Sequence, residues 1–357
     1  MLDLPEDKIR AVDASNMLGT IHGSPEMLER ALAAFDGKAI RPARKVRRVV
    51  IVGMGGSAMG GDYLAAWAAL EGTAPVEVVR TYALPAYVDA DTLVLAISYS
   101  GNTEETLAAF AEAHRRGAMV AAIATGNKLE ALAKKHGAPF VRIEGGHQPR
   151  AALPILLATS ALVLEAYGVI KARAALTEAL PDLRALAADL APEAGTARNE
   201  AKRIALALQD SVPIVYGADE LVPAARRFAN ELNENSKILG FWGAMPEMNH
   251  NELVGWAGDD DLDRFTAIFL RREQEHPQIK ERYDFTGHLI QERGGRLVQI
   301  QAKGKGFVTA MLTATYVGDM VSGYLAVLRG KDPSPVEIIT RLKNKLGETG
   351  FVDTVAK

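Results

Sequence analysis

Two stretches of the chain alternate short β-branched runs with helical segments, and this alternation limits the fold more than any other feature of the sequence. The first begins where Lys45-Val46-Arg47-Arg48 leads into VVIVG at Val49–Gly53, a run that suits a strand buried on both faces. Further strands are expected over Val76–Tyr82, Asp91–Ser100, Met119–Thr125 and Phe140–Ile143, and helices over Ala58–Leu70, Thr103–Gly117 and Lys128–Gly137. Strands separated by helices of this length predict an α/β fold with a parallel sheet flanked by helices on both faces. The alternation restarts with Val212–Gly217, a helix through Glu220–Leu239, Asp263–Arg271, a helix around Glu281–Gly294 and Arg296–Gln301. A long buried helix is expected from Ala310 to Leu328. Two such units in tandem suggest duplication.

At 357 residues the chain exceeds a single core of about 100–200 residues. The expected organisation is a helical segment over 1–40, with a helix start at Pro25-Glu26, and a first α/β domain over 41–165. A helical connection over 166–208, broken at Pro181 and Pro192, then leads to a second α/β domain with a C-terminal helix over 209–357. A formal net charge of −3 argues against nucleic acid as the main partner, because that binding needs a basic surface to displace counterions. The absence of cysteine removes disulfides, thiol nucleophiles and thiolate metal sites together. The opening MLDLPEDKIRAVDASNML has acidic residues early and no unbroken apolar core, so neither a signal peptide nor a membrane span is expected there, and a cytoplasmic location is.

The first chemical motif is Gly53-Met54-Gly55-Gly56-Ser57-Ala58-Met59-Gly60-Gly61, directly after a strand and opening a helix. Glycines let the backbone approach an anion there, and the helix start offers N–H groups and positive potential. A tight turn without a ligand would use the same glycines. A dinucleotide site is a further alternative, since Gly53, Gly55 and Ala58 fit G-x-G-x-x-A with Glu77 downstream. However, Glu77 falls near the start of its strand, and a ribose-binding acid belongs at the end. The second motif is Ser98-Tyr99-Ser100-Gly101-Asn102-Thr103-Glu104-Glu105-Thr106. Asn102 or Thr103 could simply cap the following helix, with Glu105 or Thr106 completing the cap, but one cap explains one hydroxyl and not three. Ser98, Ser100 and Thr103 could all donate to a phosphate dianion. Neither loop is a Walker sequence, so a nucleoside triphosphate is not expected. Two anion-suited loops at the carboxyl ends of neighbouring strands converge on the crevice where open α/β sheets bind ligands.

GGSAMGGD and SYSGNTEET resemble the sugar isomerase (SIS) domain, a phosphosugar-binding, flavodoxin-like fold. Three later motifs narrow the resemblance: Gly145-Gly146-His147-Gln148-Pro149-Arg150, Asn230-Glu231-Leu232-Asn233-Glu234-Asn235, and Met245-Pro246-Glu247-Met248-Asn249-His250-Asn251-Glu252. Together the five resemble, in order and over nearly the whole chain, the bifunctional phosphoglucose/phosphomannose isomerase family, whose members consist of two tandem SIS domains and act as dimers. The resemblance implies aldose–ketose isomerisation of hexose 6-phosphates through an enediolate, without a metal or organic cofactor. That reaction needs a base near C1 and C2, a group to open the sugar ring and a cation for the developing oxyanion. By similarity Glu234 is the proton-shuttling base, Arg150 the enediolate stabiliser and His250 the group that moves the ring-oxygen proton, serving the neighbouring subunit's site. Lys343 is a candidate for the C-terminal ring-opening lysine, and Gly55, Gly56, Ser57, Ser98, Ser100 and Thr103 are expected to hold the phosphate.

Each assignment has a plainer competitor. Glu234 could be an exposed helix carboxylate, with Glu231 the base one turn earlier. Arg150 could be a surface or structural ion-pair residue. His250 could be a metal ligand, although no H-E-x-x-H and no close His pair exists. His22, His114, His136, His147, His276 and His288 carry no assigned chemistry, though His147 lies close enough to Arg150 to line the same pocket. A phosphosugar-binding regulator without catalysis, and a nicotinamide-dependent dehydrogenase, remain as other classes of function.

Overall fold

The computed structural model describes residues 4–38, 40–258 and 261–351. Contacts divide the chain into two compact units, one of Met1–Pro25 with Glu178–Pro335 and one of Glu26–Thr177 with Val336–Lys357. This division differs from the contiguous boundaries expected from sequence, because each terminal segment belongs to a unit whose sheet is distant in the chain. The helical start consists of α1 (Glu6–Val12), α2 (Met17–His22) and α3 (Ser24–Ala34).

The first-sheet unit, built on Glu26–Thr177, contains β1 (Arg48–Val52), α4 (Gly56–Glu71), β2 (Val76–Val79), β3 (Thr92–Ser98), α5 (Glu104–Arg115), β4 (Met119–Ala124), α6 (Asn127–Lys135), β5 (Phe140–Arg142) and α7 (Leu153–Ala166). Its strands are parallel in the order β2-β1-β3-β4-β5, with Val50 opposite Val94 and Leu95 opposite Ala121. Every residue of β3 and β4 is buried, as a sheet covered on both faces requires. Each fully buried Val, Ile or Leu there contributes roughly 1.5–3 kcal/mol. One glycine lets α4 close on the sheet: a Cβ on Gly61 would stand 3.0–3.1 Å from methyl groups of Val78 and Ile51.

The second-sheet unit takes up the chain from within α8 (Ala172–Asp189), which runs through Pro181 without stopping. The expected break there does not occur. Thr177, whose carbonyl lies four residues back and loses its amide partner to the proline, is exposed and open to water. Pro192 lies beyond the helix end. Then follow α9 (Glu200–Ala207), β6 (Val212–Ala218), α10 (Val222–Glu234), β7 (Phe241–Met245), α11 (Glu252–Trp256), β8 (Phe265–Arg271), α12 (Pro277–Glu292), β9 (Arg296–Gln301) and α13 (Phe307–Leu328). These strands are also all parallel, in the order β7-β6-β8-β9, which repeats the pattern of the first four strands. The fold class expected from sequence is therefore the one observed. β7 was not anticipated, and α10 ends at Glu234 instead of running to Leu239, because Lys237 takes a positive φ of 56°.

Every residue of α13 from Val308 to Val327 is buried. By length and composition it is the one helix among the described residues able to cross a membrane, but 94% of its most apolar stretch is buried inside the protein. The C-terminal helix α14 (Glu337–Gly347), counted with the first-sheet unit, buries none of its side chains.

Candidate active site

In the first-sheet unit the two motif loops follow β1 and β3, which are hydrogen-bonded neighbours. The chain reverses at Gly55, where φ is +51°, and α4 begins at Gly56 without a side-chain cap. A Cβ on Gly56 would come 2.9 Å from the Pro149 carbonyl oxygen and 3.3 Å from the Arg150 Cα, so this glycine lets the Pro149-Arg150 backbone pass directly over the helix start. At the second loop, Gly101 has φ +70°, and a Cβ there would run into the Gly126 carbonyl oxygen. The Gly101 carbonyl in turn accepts the Leu129 amide at 2.9 Å.

The hydroxyls divide into struts and accessible donors. Ser57, 6% exposed, accepts the Tyr99 amide at 3.1 Å and so clips the two loops together. Ser98 is fully buried and shares a 2.8 Å bond with the Thr103 hydroxyl. Thr103 is the residue before α5, yet its side chain does not cap the helix and turns to Ser98 instead. Ser100 is exposed, and its oxygen accepts the Asn102 amide at 3.3 Å. Both helices therefore start at the crevice without a side-chain cap, which leaves positive potential from their first amides. Glu77 sits inside β2 opposite Val50, not at the strand's carboxyl end, which removes the acid a dinucleotide ribose would need.

Arg150, 3% exposed, lies in the turn that leads into α7. That turn is anchored by the Tyr99 phenol, which accepts the His147 amide at 2.9 Å, and by Glu144, which pairs with Arg30 at 3.1 Å and faces His147 Nε2 at 3.4 Å. The hydrogen bond from Arg30 is the main reason the Glu144 carboxyl is held below its ordinary value, whereas burial raises that of the Tyr99 phenol. Lys343 is exposed on α14.

In the second-sheet unit the structure separates the two candidate bases. Glu231 is 3% exposed and pairs with Arg227 at 3.1 Å; Arg227 also grips Asp319 of α13 with bonds of 2.8 and 2.9 Å. Asn235 donates to Glu231 at 2.9 Å and to Ser322 at 2.9 Å. Burial raises the Asp319 carboxyl well above its ordinary range despite Arg227 beside it. Glu231 thus belongs to a structural ion-pair cluster on the i, i+4 face of α10. Glu234 is partly buried in the helix's last turn, where Lys237 Nζ donates to the carbonyls of Glu234, Asn235 and Pro333 at 2.6, 3.3 and 2.8 Å.

His250 is exposed in a 3-10 turn, Glu247–His250, that its neighbours hold in place. Asn249 donates to Thr286 at 2.9 Å, Asn251 to Glu247 at 3.0 Å, and Glu252 accepts from the Tyr216 phenol at 2.7 Å. Trp256 Nε1 donates to that same phenol at 2.9 Å. Tyr99, Asn235, Tyr216 and Glu252 thus also build these parts of the structure, a role their sequence setting marks only weakly. The i, i+4 spacing of Arg227, Glu231 and Asn235 was the available signal for that cluster. Tyr99 stands between the serines of the second loop motif and Tyr216 within an apolar strand, and neither position signals a phenol contact.

Residues 44–163 match the SIS domain family, and residues 197–346 match the family described as the bacterial phospho-glucose isomerase C-terminal SIS domain. The bifunctional phosphoglucose/phosphomannose isomerase of Caldicellulosiruptor bescii is 37% identical over 336 residues, covering 93% of this chain and 99% of that protein. The protein of the same name from Aquifex aeolicus is 34% identical, covering 84% and 90%. Among solved structures, tagatose-6-phosphate ketose/aldose isomerase from Escherichia coli shares the fold with a TM-score of 0.70 at 17% identity, over 91% of this chain and 97% of that one.

Proposed function

Because the chain belongs to the bifunctional phosphoglucose/phosphomannose isomerase family, we propose that it interconverts fructose 6-phosphate with glucose 6-phosphate and mannose 6-phosphate by moving a proton between C1 and C2. The observation that carries this reading is the pair of uncharged, hydroxyl-bearing loops clipped by the Ser57–Tyr99 bond at the ends of β1 and β3. Backbone amides and hydroxyls suit a phosphate that must also leave.

In this reading Gly55, Gly56, Ser57, Ser100 and Thr103 hold the phosphate, and Ser98 fixes the Thr103 hydroxyl. Glu234 takes the proton from one carbon and returns it to the other. Arg150 stabilises the enediolate oxygens, which is where fixed positive charge lowers the barrier most. His250 and Lys343 move the ring-oxygen proton as the sugar opens. The commitment of Glu231 to Arg227 and Asn235 favours Glu234 as the base, because a shuttle has to change its protonation state in each turnover. No metal or organic cofactor enters the proposed steps. The protein acts as a cytoplasmic homodimer in which His250 serves the neighbouring subunit.

The deciding measurement is turnover of fructose 6-phosphate in excess EDTA, with glucose and mannose 6-phosphates quantified separately. Both products are expected. Intact protein that binds the sugar phosphate and makes neither would be a regulator instead. Glu234→Gln should lower turnover on the order of 10²–10⁴ while substrate still binds. Mixing that variant with His250→Ala should restore part of the activity, and its absence in mixed dimers would place each site within one chain.

A further inference from the structure

Three parts of the first-sheet unit meet at a residue to which the proposed chemistry gives no task. The Tyr99 amide donates to Ser57 Oγ at 3.1 Å, and its carbonyl accepts both the amide and the hydroxyl of Thr125 at 3.1 and 2.9 Å. Its phenol oxygen accepts the His147 amide at 2.9 Å, and the residue is only 7% exposed. The tie to the phosphate loop is made by backbone and survives a change of side chain. The tie to the turn carrying Arg150 is made by the phenol oxygen alone.

That turn is short and stiff. The Gln148 carbonyl accepts the amides of Ala151 and Ala152 at 2.9 and 3.2 Å, so a shift at His147 passes through Gln148 and Pro149 to Arg150 and on to α7. A second anchor, the Arg30–Glu144 pair with His147 beside it, has side chains about half exposed and is weak in water. The partly buried hydrogen bond to the phenol is the stronger restraint.

We propose that Tyr99 is a positioning residue for the isomerisation, its phenol oxygen holding the His147–Arg150 turn so that the Arg150 guanidinium keeps its alignment with the enediolate. This rests on the role given to Arg150 above. The test is Tyr99→Phe, which keeps the ring and deletes only the acceptor. We expect kcat to fall about tenfold, while KM for fructose 6-phosphate and the affinity for inorganic phosphate, measured by calorimetry, stay within about twofold. Combined with Arg150→Ala, it should add no further loss. A normal kcat in Tyr99→Phe beside a large loss in Arg150→Ala would overturn the positioning role. So would a parallel loss of kcat, KM and phosphate affinity, the mark of a general brace. Undiminished turnover in Arg150→Ala would instead overturn the role of Arg150, and the proposal with it.

Discussion

The two sheets share one strand order, and in both the second strand of the order is the first to be laid down in the chain. The point where the order reverses lies between β1 and β3 in one unit and between β6 and β8 in the other. Both first strands lead into a close turn at a glycine. A Cβ on Gly53 would meet the Ile97 carbonyl oxygen at 3.0 Å, and one on Gly217 would overlap the Leu221 carbonyl. From there the chemistry diverges. The β1/β3 crevice presents glycines and hydroxyls, with helices that start without side-chain caps. At β6/β8 the equivalent loops carry charge and spend it internally. Arg272 pairs with Glu220, Arg271 with Glu275 at 2.7 Å and Asp284 at 2.6 Å, and the Tyr283 phenol donates to the Leu270 carbonyl at 2.9 Å. The cavity left there is about 40 Å³, room for little more than water. Strand order sets where a ligand can bind, and the loop residues decide what chemistry that place offers.

The comparison can be broken from either side. The largest effect is expected at Gly101→Ala, where a left-handed backbone and the overlap with Gly126 should together cost about 4 kcal/mol and abolish phosphate binding, read by urea unfolding and calorimetry. Arg272→Ala leaves the nearly buried Glu220 uncompensated and should cost about 2–3 kcal/mol. Turnover per folded molecule should not change, and a loss of substrate affinity there would mean the second crevice is not merely structural. Thr103→Val removes a candidate donor and leaves the Ser98 hydroxyl with only the amide of residue 103, so inorganic phosphate should bind about tenfold more weakly. The smallest effect belongs to Arg30 and Glu144. A carboxyl held below its ordinary value stabilises the folded state above the unfolded pKa and ceases to do so as pH falls through the folded one. Glu144→Gln should therefore lower stability at pH 7 by less than about 1 kcal/mol, given side chains about half exposed, and the difference should vanish on acidification below the ordinary glutamate range.

Strands such as β3 and β4 were legible because β-branched and apolar residues run unbroken between turn signals, as burial on both faces demands. β7 escaped because it is short, lies at the edge of its sheet, contains Gly243 and exposes Phe241 and Trp242, so it shows neither alternation nor a buried run. Pro181 misled because a proline's cost depends on whether the carbonyl it strands can reach water, and sequence does not report that. The two candidate anion loops were legible as loops, since glycine and serine at a strand end have few other uses. Their division into struts and donors was not. Ser98, Ser100 and Thr103 look alike in the sequence, and only the fold turns Ser98 inward. The unit boundaries were equally hidden, because the association of a terminal segment with a distant sheet leaves no local mark.

Asp319 carries a consequence for the chain before it has folded. It stands near the middle of α13, a helix with the length and composition of a membrane span, and its partner Arg227 lies 92 residues earlier in the chain. An aspartate near the centre of a bilayer costs about 3 kcal/mol. A carboxylate there makes lipid a poorer home for α13, while Arg227, already made, offers it an ion pair inside the protein.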